Sequence, residues 1–172
     1  MNPTSPRTGR YRSLGIAVAA LILLADQAIK WVVTYVLSLE SVRSIELLPI
    51  FNLTWVRNYG ISFGVMTAEG ELQRWLLVGL TALVAAGVAF WMWREKSRAD
   101  VVALGLILGG ALGNIIDRAR VGYVIDYADL HFGEFRPFLI FNVADAAITI
   151  GVLLLVARAF LLRDKAPTGQ AG

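Results

Sequence analysis

The sequence predicts a membrane all-α fold, a four-transmembrane-helix bundle with short strands and turns on the membrane surface. Three observations lead there. Hydrophobic residues make up 57% of the 172-residue chain, against roughly 45 to 50% in soluble domains. Four apolar stretches are each long enough to cross a hydrocarbon core of about 30 Å. The basic residues gather in alternate connections between those stretches, leaving two longer, mixed connections between them.

The chain opens on a polar, basic tail, Met1 to Arg12, carrying Pro3, Pro6, Arg7, Arg10 and Arg12. The first span follows, about residues 14–39. Its apolar pattern continues through Trp31, Val32, Val33 and Val36 without a small-residue cleavage site, which argues for a helix that stays in the membrane over a removable leader. Residues 40–70 alternate around Ile50 to Val56 and carry Pro49, Gly60 and Gly64, so short strands and turns are expected there. The second span covers about 72–93 and closes on Trp91 and Trp93, followed by Arg94, Lys96 and Arg98. The third runs from Val101 to about Ile116, extendable to 99–118. The fourth is 143–162, ahead of a Pro/Gly/Gln tail expected to be disordered. The whole, 1–172, reads as one integral membrane domain.

Three Lys/Arg-rich segments, the N-terminal tail, the 94–98 connection and the C-terminal tail, fall on one side of an even number of spans. By the bias of basic residues that side is the cytoplasm, so connections 40–70 and 119–142 are extracytoplasmic. With about 1.5 Å of rise per residue, Asp26 and Lys30 lie roughly 18 and 24 Å outward on the first span, and Asn114 and Asp117 roughly 20 and 24 Å outward on the third. Asp145 stands just inside the outer end of the fourth. Intramembrane polar groups are costly and face bundle interiors or functional cavities. A common level therefore suggests one shared site.

Composition narrows the chemistry. With no cysteine and a single histidine, His131, thiolate nucleophiles, disulfides and multi-histidine metal sites are excluded. The net charge of +3 is spread between apolar stretches, unlike a nucleic-acid-binding patch. His131, close to a turn at Gly133 and Glu134, reads as a surface residue.

Asp26 and Lys30 are spaced i, i+4, acid first, and read as an ion pair that makes both charges tolerable. Lys30 as general base for Ser62 is a rival with no support from local spacing. Gly105, Gly109 and Gly113, with Gly110 beside them, form a small-residue stripe that lets helices approach. It delivers Asn114, Asp117 and Arg118 into a packed region, with Asp117 expected to pair with a basic neighbour. Asp126 lies in VGYVIDYADLHF, whose alternation suggests a strand with Val124, Asp126, Ala128 and Leu130 on one face. Asn142 reads as an N-cap and Asp145 as its N3 partner. Two carboxylates brought close cannot both ionise easily, so Asp126 and Asp145 could offer an acid and a base together. The helix N-terminus favours ionised Asp145, leaving Asp126 as the protonated member. Asn58, Asn114 and Arg118 are candidates to hold a substrate carbonyl. This chemistry needs neither metal nor other cofactor.

These residues resemble those of the lipoprotein signal peptidase (signal peptidase II) family of bacterial membrane aspartyl proteases. The resemblance covers Leu14 to Leu162 and rests on DQAIK (26–30), RNYGISFG (57–64), GGALGNIIDR (109–118), VIDY (124–127) and FNVADAAIT (141–149). It implies that Asp126 and Asp145 are the catalytic dyad, with Asp26, Lys30, Asn58, Gly60, Asn114, Arg118 and Asn142 lining or supporting the site. It implies four transmembrane helices with cytoplasmic termini in a bacterial inner membrane, a small extracytoplasmic β-sheet cradle, and an amphipathic segment over the site. The implied partners are diacylglyceryl-modified prolipoprotein signal peptides, cut before the modified cysteine, membrane lipids, and globomycin-type inhibitors. Ile61 and Ser62 depart from the NxGAAF pattern of many members, which bears on the pocket near Asn58. A small transporter or proton-relay protein is the chief alternative, since intramembrane acids mark those too. It would place its acids at the midplane and show an inverted repeat.

Overall fold

Four helices long and apolar enough to cross a membrane dominate the computed structural model, which describes residues 11–60 and 71–163. The chain is a multi-pass membrane protein. Its basic N-terminal tail up to residue 10, the segment 61–70 with Ile61, Ser62 and the expected amphipathic stretch, and the C-terminal tail lie outside the described residues.

The first span begins with α1 (Arg12–Trp31), so Arg12 belongs to the helix and not to the tail. It then widens into a π turn, Val32–Val36. The β-branched run Val32, Val33, Thr34 crowds the preceding turn, and one wider turn relieves it. The span stops there, short of the expected residue 39. Ser38 adopts a left-handed φ of 49°, and Leu39 opens a separate one-turn helix, α2 (Leu39–Val42), with its side chain fully buried. The other spans fall within three residues of expectation: α3 (Glu71–Arg94), α4 (Arg98–Val121) and α5 (Val143–Arg163). Ser97 caps α4 by accepting the Asp100 N–H at 3.3 Å, and Gly122, at φ 91°, ends it. At the same end of the bundle Arg158 of α5 donates to Asp100 and Ser97.

The central helix is α4, packed against α1, α3 and α5. Within its most apolar stretch 44% of residues are buried, against 11% in α3, which accordingly presents most of its surface outward. The glycine stripe explains the close packing. A Cβ on Gly105 would stand 2.7 Å from the Gly15 carbonyl oxygen, and one on Gly109 would stand 2.5 Å from that of Ala19. Gly110 turns the other way, against the Ala144 carbonyl of α5. Gly79 and Gly87 of α3 have nothing within 4 Å of such an atom. Gly109→Ala is therefore expected to lose about 1–3 kcal/mol through forced separation of α1 and α4. Gly79→Ala should be neutral or gain slightly from helix propensity. Thermal unfolding in detergent checks the contrast; equal melting temperatures would contradict the packing argument.

The connections supply a three-stranded antiparallel sheet in the order β1 (Ser44–Leu48), β2 (Phe51–Asn58), β3 (Val124–Leu130). β2 opposes β3 with Val56 facing Asp126 and Asn58 facing Val124 across a bulge between Leu53 and Val56. The strand expected here forms, and residues 124–129 are all buried, on both of its faces. One reason is the apolar cluster of Val33, Leu39, Trp55, Ile125, Tyr127 and Ala128. The other is the returning chain, where Phe141 pairs with Ala128. His131 is half-buried, not a surface residue, with its N–H on the Ile50 carbonyl at 3.0 Å.

Candidate active site

One end of the bundle, where α1, α4, β3 and the start of α5 converge, holds a connected set of buried polar side chains. Its base is ionic. Lys30 lies 2.8 Å from Asp26 of its own helix and 2.7 Å from Asp117 of α4, with all three residues at most 5% exposed. Gln27 closes this group, donating to Asp117 at 2.9 Å and to Asp26 at 3.2 Å. The carboxylates also accept from backbone. Asp26 takes the Ala144 N–H at 3.0 Å, fixing α5 to α1, and Asp117 takes the Ile125 N–H at 3.2 Å, fixing β3 to α4. An ion pair this dry holds its geometry only because the remaining lone pairs are satisfied.

Above that base stand three asparagines and two aspartates. Asn142 caps α5: its Oδ1 accepts the Asp145 N–H at 2.9 Å, while Asp145 accepts the Asn142 N–H at 3.3 Å. This is the reciprocal capping box expected from the FNVAD stretch. The same Asn142 turns its Nδ2 to Asp126, 2.7 Å away. Asp126 receives a second donor, Asn58 Nδ2, at 2.9 Å, and Asn58 in turn accepts the Gly60 N–H at 2.9 Å. Gly60 takes a φ of 95°, and a Cβ there would press 2.8 Å from Leu77, so the turn that presents Asn58 requires glycine. Asn114 donates to Asp145 at 2.8 Å and is reached by Lys30 at 3.4 Å. Asn142 thus ties the two acids together, with its side-chain amide on the Asp126 carboxylate and its backbone N–H on that of Asp145, and Asn114 links Asp145 and Asn142 to Lys30.

Electrostatics separate the two acids. Asp126 is 1% exposed, whereas Asp145 is half-buried at a helix N-terminus. Burial pushes the Asp126 carboxyl up to about 6, and the charge of Asp145 adds to this. The hydrogen bonds from Asn58 and Asn142 and the charge of Lys30 oppose the shift without cancelling it. Arg118, half-buried, lies within electrostatic reach of Asp145, Asp126 and Asp117. Its Nε is buried and makes no hydrogen bond among the described residues.

Two open cavities each reach one of these acids. One, of about 510 Å³, has Asp126, Asn58, Gly60 and Arg136 in its wall. The other, of about 280 Å³, is apolar and runs from Asp145 along Ala146, Thr149 and Ile150. Phe138 and Leu139 line both.

All the sequence-predicted residues except Gly60 and Arg118 join the network through their side chains; Gly60 joins through its backbone N–H and Arg118 through its field. Asp117 does have the basic neighbour expected of it, Lys30 from another helix. Gln27 was missed as a member. The signal was its place at the same depth as Asp26 and Lys30 inside an apolar run. Arg74 was missed too: from α3 it donates to the last-turn carbonyls of Arg118 at 2.7 Å and Ala119 at 2.5 Å, closing the end of α4.

The signal peptidase (SPase) II family model matches residues 18–161, most of the chain. The chain belongs to the signal peptidase II family. The lipoprotein signal peptidase of Sphingopyxis alaskensis is 61% identical over 161 residues, covering 94% of this chain and 92% of that one. That of Rhizorhabdus wittichii is 56% identical over 154 residues, covering 90% of each. A bacterial membrane enzyme solved by the in meso method at 2.3 Å superposes with a TM-score of 0.73 at 27% identity, covering 93% of this chain and 94% of that one. Membership makes this a membrane peptidase, which accords with carboxylate chemistry and the four spans.

Proposed function

We propose that this signal peptidase II member removes signal peptides from prolipoproteins by cutting before the diacylglyceryl-modified cysteine, with Asp126 and Asp145 as the acid and base. The observation that carries the assignment is Asn142, whose side-chain amide donates to the Asp126 carboxylate while its backbone N–H donates to that of Asp145. No other pair of carboxylates among the described residues borders both cavities in this way.

In the step proposed, ionised Asp145 takes a proton from a water molecule as its oxygen attacks the scissile carbonyl carbon. Asp126, protonated, gives its proton to the carbonyl oxygen, producing a neutral gem-diol. On collapse Asp126 takes back a hydroxyl proton, Asp145 protonates the departing nitrogen, and the C–N bond breaks. Burial of Asp126 and the helix N-terminus beneath Asp145 support that division of roles. Arg118, whose buried Nε has no partner among the described residues, is the group we assign to the substrate carbonyl. The basic connections support cytoplasmic termini in the inner membrane, with the dyad near the outer face and open to membrane lipids. A globomycin-type cyclic peptide is the inhibitor this site is expected to accept.

Two measurements test the reading. Purified protein should cleave a diacylglyceryl-modified prolipopeptide at least about a hundredfold faster, in kcat/KM, than the unmodified peptide; equal rates would remove the lipid from the account. The pH profile of kcat/KM should also be bell-shaped. Because Asp126 is raised to about 6 and must carry its proton, activity falls as pH rises through and above that value. At low pH activity falls again as the ionised partner is protonated. The two midpoints belong to the coupled pair. A rate flat from pH 4 to 8 would contradict shared-proton chemistry.

A further inference from the structure

The catalytic account leaves unused a second polar chain that crosses the whole sheet. Ser44 of β1 pairs with Thr54 of β2 at 2.9 Å, and the Thr54 hydroxyl donates to Asp129 of β3 at 3.3 Å. Asp129, 1% exposed, then accepts from Arg136, at 3.0 Å from Nε and 3.4 Å from Nη2. Pro137 follows Arg136 and restricts its backbone to extended conformations, while Asp129 holds its guanidinium. Its Nη1 has no partner among the described residues, its side chain is 52% exposed, and it stands in the wall of the cavity that contains Asp126 and Asn58. Merely pinning the 131–141 loop needs neither that exposure nor that position.

We propose that Arg136, oriented by Asp129, binds a carbonyl oxygen of the substrate beside the scissile bond. This rests on the peptidase reading above and adds to it a substrate-binding residue and a positioning residue, Asp129. An always-charged, planar group with free N–H donors suits a neutral acceptor in a groove only partly open to water. The substrate offers that acceptor from two sources, an amide of the extended signal peptide or an ester of its acylglycerol.

The test is steady-state cleavage of a diacylglyceryl-modified prolipopeptide by wild type, Arg136→Gln, Arg136→Lys and Asp129→Asn. Arg136→Gln is expected to raise KM roughly tenfold with kcat within about twofold, the signature of lost binding and not of lost chemistry. Arg136→Lys should recover part of the loss. Asp129→Asn should raise KM as Arg136→Gln does, and the double variant should be no worse than Arg136→Gln alone, because the two act through one contact. A melting temperature unchanged in Arg136→Gln separates binding from folding, and this half-exposed site keeps the test decisive should Asp129→Asn fold poorly. With ether-linked chains in the substrate, loss of the KM penalty identifies an ester carbonyl and its persistence a peptide carbonyl. An active wild type alongside Arg136→Gln with unchanged KM, or with reduced kcat only, overturns the proposal alone. A wild type inert on the lipidated substrate overturns the peptidase reading and this one with it.

Discussion

Asp126→Asn and Asp145→Asn, made separately, should each lower kcat for prolipopeptide cleavage by on the order of 10³-fold, the scale of a lost proton-transfer group. The double variant should be hardly worse than either single one, because an acid and a base that exchange a proton act as a unit. Both substitutions carry a structural cost. At 145 the carboxylate accepts from two donors, the Asn142 N–H and Asn114 Nδ2, and an amide oxygen can serve only one of them, at a half-buried site. At 126 both neighbours are donors, Asn58 and Asn142, and an amide offers them only one acceptor. Some loss of stability, about 1–3 kcal/mol, is expected there. Rates are therefore compared well below both melting temperatures. Activity within tenfold of wild type in either variant would remove that aspartate from the dyad.

Lys30→Met should be the most destabilising single substitution in the bundle. Among the described residues Lys30 is the one cation paired with both Asp26 and Asp117, and both acids are buried. Removing the cation leaves two buried anions side by side, at a cost of about 3–5 kcal/mol for a broken buried pair. The loss extends to function, since Lys30 also reaches Asn114, which holds Asp145. Neutralising one acid as well should recover much of the stability: Lys30→Met with Asp117→Asn is expected to melt above Lys30→Met alone. Thermal unfolding in detergent reads both, and a Lys30→Met melting temperature equal to wild type would show the cluster to be ornamental.

What could be read from the chain alone divides along physical lines. The four spans were legible because hydropathy over some twenty residues is a sum, insensitive to any one position. Pairings within one helical turn or one cap were legible too: Asp26 with Lys30, and Asn142 with Asp145, depend on spacing alone. The common depth of Asp26, Lys30, Asn114 and Asp117 indicated one site before any contact was known, since rise per residue is fixed. Contacts between elements were not legible. That Lys30 also serves Asp117, that Gln27 bridges two acids, and that Asp129 reaches Arg136 depend on helix rotation and on sheet register. The π turn and the break at Ser38 were missed for another reason: the apolar run continues past them, and hydropathy carries no information about turn width.

The most direct test of the account is the mass of the products formed when purified protein acts on a diacylglyceryl-modified prolipopeptide. The predicted result is two fragments, a free signal peptide and a remainder whose first residue is the lipid-bearing cysteine. Both should be absent with Asp126→Asn and with Asp145→Asn. Cleavage at another bond, or the same fragments from either variant at the wild-type rate, would contradict it.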